Sequence, residues 1–208
     1  MSSYIMHICI SDIVKRKLKL TDKFVYGSIL PDVIKNITGD RDKTHYINKV
    51  IVDGDKRELP DIQKAINELQ IEDKEIRLGY IAHLVEDLIW FNDFIPTYAT
   101  DLGDNKIQYL KDNSIHTDIE YRDDIYLDYT NSSSYVVDKY GVDIQKVLLG
   151  ILNISHNDQH KKIILDNTGY PAEINLTKNT FMTKDSIDKY MEVCTKEVEK
   201  IISSLMGE

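Results

Sequence analysis

The sequence predicts an all-α fold, a single-domain helical bundle over residues 1–208, on three observations. Apolar residues recur at helical spacing through most of the chain, strand signals are sparse, and 208 residues with 42% hydrophobic content suffice for one proper core. No internal repeat or low-complexity segment interrupts the pattern.

Met6, Ile10, Ile13 and Leu18 place a first helix, which the basic run from Lys15 to Lys19 closes at the surface. Leu30-Pro31-Asp32 is expected to interrupt helix, because proline disfavours the helical conformation in the residue before it. Residues 36–42, with Thr38-Gly39-Asp40, read as a loop. A helix begins near Leu59-Pro60-Asp61, with Pro60 suited to its first turn, and runs to Leu69. The longest apolar pattern, residues 76–95, ends at Pro96 and is the core-helix candidate. Residues 101–113 are polar and read as irregular. Residues 118–140 carry Ile119, Tyr126, Tyr129 and Val137 at helical spacing, with Gly141 as the stop. A short helix over 142–152 follows, then a long connection over 153–183 with a short extended piece at 162–165. Residues 184–205 form a last amphipathic helix.

Composition excludes several classes. With 26 basic and 35 acidic residues the net charge is −9, against a surface built for nucleic acid, so no stable nucleic-acid partner is expected. The longest apolar candidate, 81–95, is broken by His83, Glu86, Asp87 and Asp93, so no transmembrane segment is expected. The start Met-Ser-Ser-Tyr-Ile-Met-His lacks a basic region followed by an apolar core and a cleavage site. Cys9 and Cys194 lie far apart in apolar or helical patterns and fit a reduced protein. A cytoplasmic location is expected.

The chemistry concentrates in the core helix. His83 and Asp87 are four residues apart, so both project from one face and can reach one ion. A carboxylate among Trp90, Phe91 and Phe94 needs compensation, because an unpaired buried charge is expensive. His7 on the apolar first helix, Asp32 after Gly27-Ser-Ile-Leu-Pro31, and His45 before Tyr46-Ile47 are the candidates to complete the site. For each histidine the plain alternative is a core imidazole bonded to a carbonyl, and for Asp32 a helix cap. Taken together with two carboxylates in apolar settings, the metal-ligand reading prevails. His156 and His160 share the same spacing but sit in the polar run Asn-Asp-Gln-His-Lys-Lys and read as solvated loop.

His7, Gly27-Ser-Ile-Leu-Pro31-Asp32, Thr44-His45-Tyr46 and Gly79-Tyr-Ile-Ala-His83-Leu-Val-Glu-Asp87 resemble the ordered metal-binding signature of the zinc-dependent phospholipase C family, whose relatives include fungal single-strand nucleases. The resemblance covers roughly the first hundred residues, from which the ligands mainly come. It implies an all-α fold with two or three zinc ions, manganese or iron remaining open as alternatives. Asp32, His45, His83 and Asp87 would share one ion, and His7 with Asp87 as a bridge would help hold a second. The family places further histidines and a glutamate soon after this helix, where the present chain has Trp90-Phe-Asn-Asp-Phe94. His116, Asp124 and Asp128 are the substitutes at hand for a third ion, with a solvated acidic face as the alternative for the two aspartates.

Ions of this kind acidify water for attack on phosphorus, so the expectation is a metal-dependent phosphoester hydrolase with Asp32 orienting or deprotonating that water. The partner would be a small phosphoester substrate, a lipid-derived one included. Tyr80, Trp90, Phe91, Phe94 and Tyr98 are candidates for an acyl or base pocket or for plain core. Metal phosphohydrolases built on adjacent His-Asp pairs fit less well, since no such dipeptide occurs. The competing expectation is a non-catalytic metal-binding or interaction protein with a degenerate site.

Overall fold

The computed structural model describes residues 3–52, 55–170 and 175–207. Helix α1 (Tyr4–Leu18) starts where the Ser3 hydroxyl accepts the Met6 N–H and ends at Lys19, with Lys15, Arg16 and Lys17 complementing the last-turn carbonyls. Helix α2 (Asp22–Thr38) is capped by Thr21 and stopped by Gly39 at φ 73°. A single turn, α3 (Arg41–Thr44), leads into His45. The core helix α5 (Lys74–Ile89) begins on the Asp73 carboxylate and continues as a π-helical turn over Trp90–Phe94 and a 3₁₀ turn over Ile95–Thr97. Before it stands the short α4 (Ile62–Glu68); after it come α6 (Asp118–Tyr140), α7 (Ile144–Ile154), α8 (Asp158–Asn167) and α9 (Lys184–Gly207).

The fold is mainly helical, but two small antiparallel sheets correct the all-α expectation. Strands β1 (Ile47–Val52) and β2 (Asp55–Pro60) pair from Ile47↔Pro60 to Val52↔Asp55. Strands β3 (Ala99–Gly103), β4 (Lys106–Tyr109) and β5 (Ile115–Thr117) form a three-stranded meander, so the stretch expected to be irregular is largely sheet. Pro60 ends a strand instead of opening a helix, and Asp61 supplies the cap of α4. The expected extended piece at 162–165 lies inside α8, which Asn157 caps and whose Ile164 is buried. No helix among the described residues is long and apolar enough to cross a membrane.

Pro31 does not break α2. A proline inside a helix costs about 3 kcal/mol or more, so packing must hold this one. The helix is buried from Phe24 to Val33 and lies directly against α5. Their contact is made by Gly27 and Gly79: a Cβ on Gly79 would run into the Phe24 carbonyl, and one on Gly27 into the Ile76 carbonyl. Two backbones thus approach where side chains would hold them apart, which brings the α2 carbonyls within reach of α5 side chains. Around this pair α1, α9 and α7 complete one continuous apolar core that includes Phe24, Ile29, Ile81, Leu84, Trp90 and Met191.

Candidate metal centre

Five side chains from four parts of the chain meet inside this core: His7 on α1, Asp32 on α2, His45 after α3, and His83 and Asp87 on α5. Four are 0% exposed and Asp32 is 2% exposed. The expected pair His83 and Asp87 does share a helix face, with His83 Nε2 at 3.7 Å from Asp87 Oδ2.

Each imidazole is held by its Nδ1 atom. His83 Nδ1 lies 2.7 Å from the Ser28 carbonyl oxygen, which can only accept, so Nδ1 carries the proton and Nε2 the lone pair. His45 Nδ1 lies 2.9 Å from Thr44 Oγ1, whose own hydrogen goes to the Asp40 carbonyl at 2.9 Å, so this imidazole also donates from Nδ1. His7 Nδ1 lies 2.7 Å from Glu86 Oε2, with both side chains fully buried. In every case Nε2 is turned inward, and for His83 and His45 the outer partner also fixes the tautomer.

The inward atoms define two neighbouring places. In the first, His83 Nε2 and His45 Nε2 are 3.2 Å apart, His45 Nε2 and Asp32 Oδ1 3.3 Å, and His45 Nε2 and Asp87 Oδ2 3.7 Å. Donors about 2.0–2.1 Å from a tetrahedral zinc ion lie roughly 3.3 Å from one another, so these separations suit one ion. In the second, His7 Nε2 stands 3.8 Å from Asp87 Oδ1. His83 also falls near His7 and Asp87, but the two rings are stacked, centroids 4.0 Å apart and 20° from parallel. Ring-nitrogen lone pairs lie in the ring plane, so stacked rings do not converge on one ion. His83 therefore belongs with His45, and His7 with the other oxygen of Asp87.

The electrostatics suit a cation. Burial, reinforced by His83, holds His7 well below 6.5, and burial likewise lowers His83, so both are neutral and free to donate lone pairs. Burial on its own would raise Asp32, but His45 beside it and the surrounding positive charge, Lys35 included, hold it below the usual carboxylate range. Asp87 is lowered against its burial by its imidazole neighbours His83, His7 and His45 in their charged forms, a positive charge that a bound cation would supply with His7 and His83 neutral. Glu86 goes the other way: burial and the adjacent Asp87 push it well above 4.5.

Three expected substitutes are engaged elsewhere. His116, on β5, stacks on Tyr109 and meets Ser114 Oγ at 2.7 Å. Asp124 accepts from the Tyr109 hydroxyl at 2.9 Å. Asp128 is buried but receives the backbone N–H groups of Thr180, Phe181 and Met182, and so anchors the segment before α9. None joins the five residues above. His160 bonds Tyr26 through Nδ1 at 2.9 Å. Sequence reasoning did not single out Glu86, although a second carboxylate in the same apolar helix was visible as a signal. The holding groups Ser28 and Thr44 carried no signal of their own.

Compared with known proteins, the chain stands apart. It matches no protein-family model, and neither curated proteins nor solved structures yielded a match. The likeness to the zinc-dependent phospholipase C signature thus rests on the quoted residues alone.

Proposed function

We propose that this protein is a metal-dependent phosphoester hydrolase whose first ion is held by Asp32, His45, His83 and Asp87. The observation that carries the reading is the pair of Nε2 atoms at 3.2 Å with both protons committed to the far side of the rings. Two lone pairs facing each other at this distance repel, and a cation between them would turn that repulsion into ligation. Two carboxylates buried in the same place point the same way, since buried charge needs a partner. Imidazole and carboxylate donors suit zinc, with manganese and iron as alternatives.

A divalent ion there would supply Lewis acidity toward water and phosphate oxygens. The chain supplies the rest. Asp32 is the cluster carboxylate that borders an open cleft, so it is placed to orient a water for in-line attack. The water oxygen bonds to phosphorus, the ester P–O bond breaks, and the water's proton ends on the departing alcohol. Glu86 holds His7 beside Asp87 Oδ1, so His7 and Asp87 would be the residues to hold a second ion.

A second reading follows from that second place, where His7 and Asp87 are the donors found among the described residues. A single, non-catalytic ion would explain the first cluster equally well. Metal analysis and turnover separate the two. Protein purified without a metal-affinity column should carry at least one equivalent of zinc, manganese or iron and hydrolyse bis-para-nitrophenyl phosphate, with activity lost in His83→Ala and kept in His156→Ala. Metal without turnover leaves the structural ion; absence of metal together with unchanged melting on chelation sinks both.

A further inference from the structure

A cleft of about 280 Å³ opens beside Asp32, between the start of α1, the second half of α2, the middle of α6 and the segment after α8. Of the five cluster residues only Asp32 lines it, so among the described residues Asp32 is the one that joins this cleft to the candidate metal centre. Its walls are polar. Lys35, one turn beyond Asp32 with Nζ 3.5 Å from Asp32 Oδ1, is the lysine or arginine among its lining residues. Thr130 and Ser133 give their hydroxyl hydrogens to the Tyr126 and Tyr129 carbonyls, so toward a ligand they retain acceptor capacity. Asn36 donates to the Tyr4 hydroxyl and Asn167 to the Ile163 carbonyl, and both keep a side-chain carbonyl to accept with. With Asp32 committed to an ion in the metal centre, Lys35 would be left as the cation of the cleft, and with a wall of acceptors it complements an anion attached to hydroxyl groups. Ile5 is the aliphatic side chain in the lining, beside the rings of Tyr4, Tyr126 and Tyr129, and about 280 Å³ leaves no room for the paired acyl chains of a lipid. The aromatic residues Trp90 and Phe94 are packed with Tyr190 in the core, away from the lining of this cleft.

We propose that this cleft binds a small, water-soluble phosphate ester of a hydroxyl-bearing alcohol, with Lys35 meeting the phosphate and Thr130 and Asn36 meeting the hydroxyls. The inference rests on the hydrolase reading for its chemistry but not for its binding. Glycerol 3-phosphate is therefore the probe, titrated calorimetrically into the full, metal-replete chain, with inorganic phosphate and micellar dihexanoyl phosphatidylcholine beside it. Lys35→Met should weaken both soluble ligands roughly tenfold or more, the loss expected when a hydrogen bond to a charged group is removed. Thr130→Val, on an exposed face, should weaken glycerol 3-phosphate and leave inorganic phosphate unchanged. Preference for the lipid or for a single-stranded oligonucleotide, no binding of glycerol 3-phosphate, or binding indifferent to both substitutions overturns the assignment. Binding with these sensitivities but without turnover of any phosphoester upholds the cleft and refutes the hydrolase reading.

Discussion

At the scale of single residues, what distinguishes this cluster from ordinary buried histidines is the set of groups behind them. Ser28, Thr44 and Glu86 each occupy an Nδ1, so each ring is turned before any ion arrives, and the first two also choose the tautomers of His83 and His45. Removing one should loosen binding without removing a ligand. Thr44→Val is expected to cut metal affinity about 10–100-fold, as outer-partner losses do, while His83→Ala abolishes it; competition against a chromophoric chelator measures both. An affinity in Thr44→Val equal to that of the parent chain would mean that His45 is not a ligand. The five inward-facing residues were legible in the sequence because each combined a donor with an apolar setting: His83 and Asp87 by their spacing, His7, Asp32 and His45 by their surroundings. The Ser28 carbonyl was not, because its contact with His83 spans 55 residues, nor was Thr44, because a hydroxyl beside a histidine does not reveal that its own hydrogen goes to the Asp40 carbonyl. His116, Asp124 and Asp128 illustrate the opposite error, for donors on neighbouring elements were free to serve Ser114, Tyr109 and a loop backbone instead.

At the scale of elements, the close approach of α2 and α5 does most to build the site, since it lets His83 reach Ser28. Gly79→Ala places a Cβ against the Phe24 carbonyl and the Gly27 backbone. It should destabilise the fold by about 1–3 kcal/mol or more by overpacking and weaken metal binding in parallel, as chemical denaturation and chelator competition would register. The Thr117–Glu120 capping box starts α6 on a different footing. Thr117→Ala should cost about 1 kcal/mol and leave the metal centre untouched. Local signals were decisive where they were strong: the expected bounds of α6 agree to the residue because its start and its Gly141 stop are both written in the chain. They failed at Pro31, where tertiary burial overrides a local preference, and in the two sheets. Their short strands do not alternate apolar-in and polar-out, with Ile51, Leu102 and Ile115 exposed, and owe their pairing to partners rather than to pattern.

At the scale of the whole molecule, burial of the cluster makes stability depend on pH. His7 and His83 are held below 6.5, so the unfolded chain takes up protons first as pH falls; the stability they contribute is present at neutral pH and lost below it. Glu86, raised above 4.5, acts in the opposite sense, since its buried neutral form is favoured as pH falls. Two imidazoles against one carboxyl should leave the metal-free protein with a lower melting temperature at about pH 5.5 than at about pH 7. Calorimetry across that range checks it, and a rise on acidification would contradict the protonation states assigned here.

The donors' near-zero exposure also has a kinetic meaning. An ion held among them would leave by one of two routes, past Asp32 into the cleft or through a transient opening of the helices. Removal by the first would speed up as chelator is added, whereas removal by the second would run at the molecule's own opening rate, the same at low and high chelator concentration.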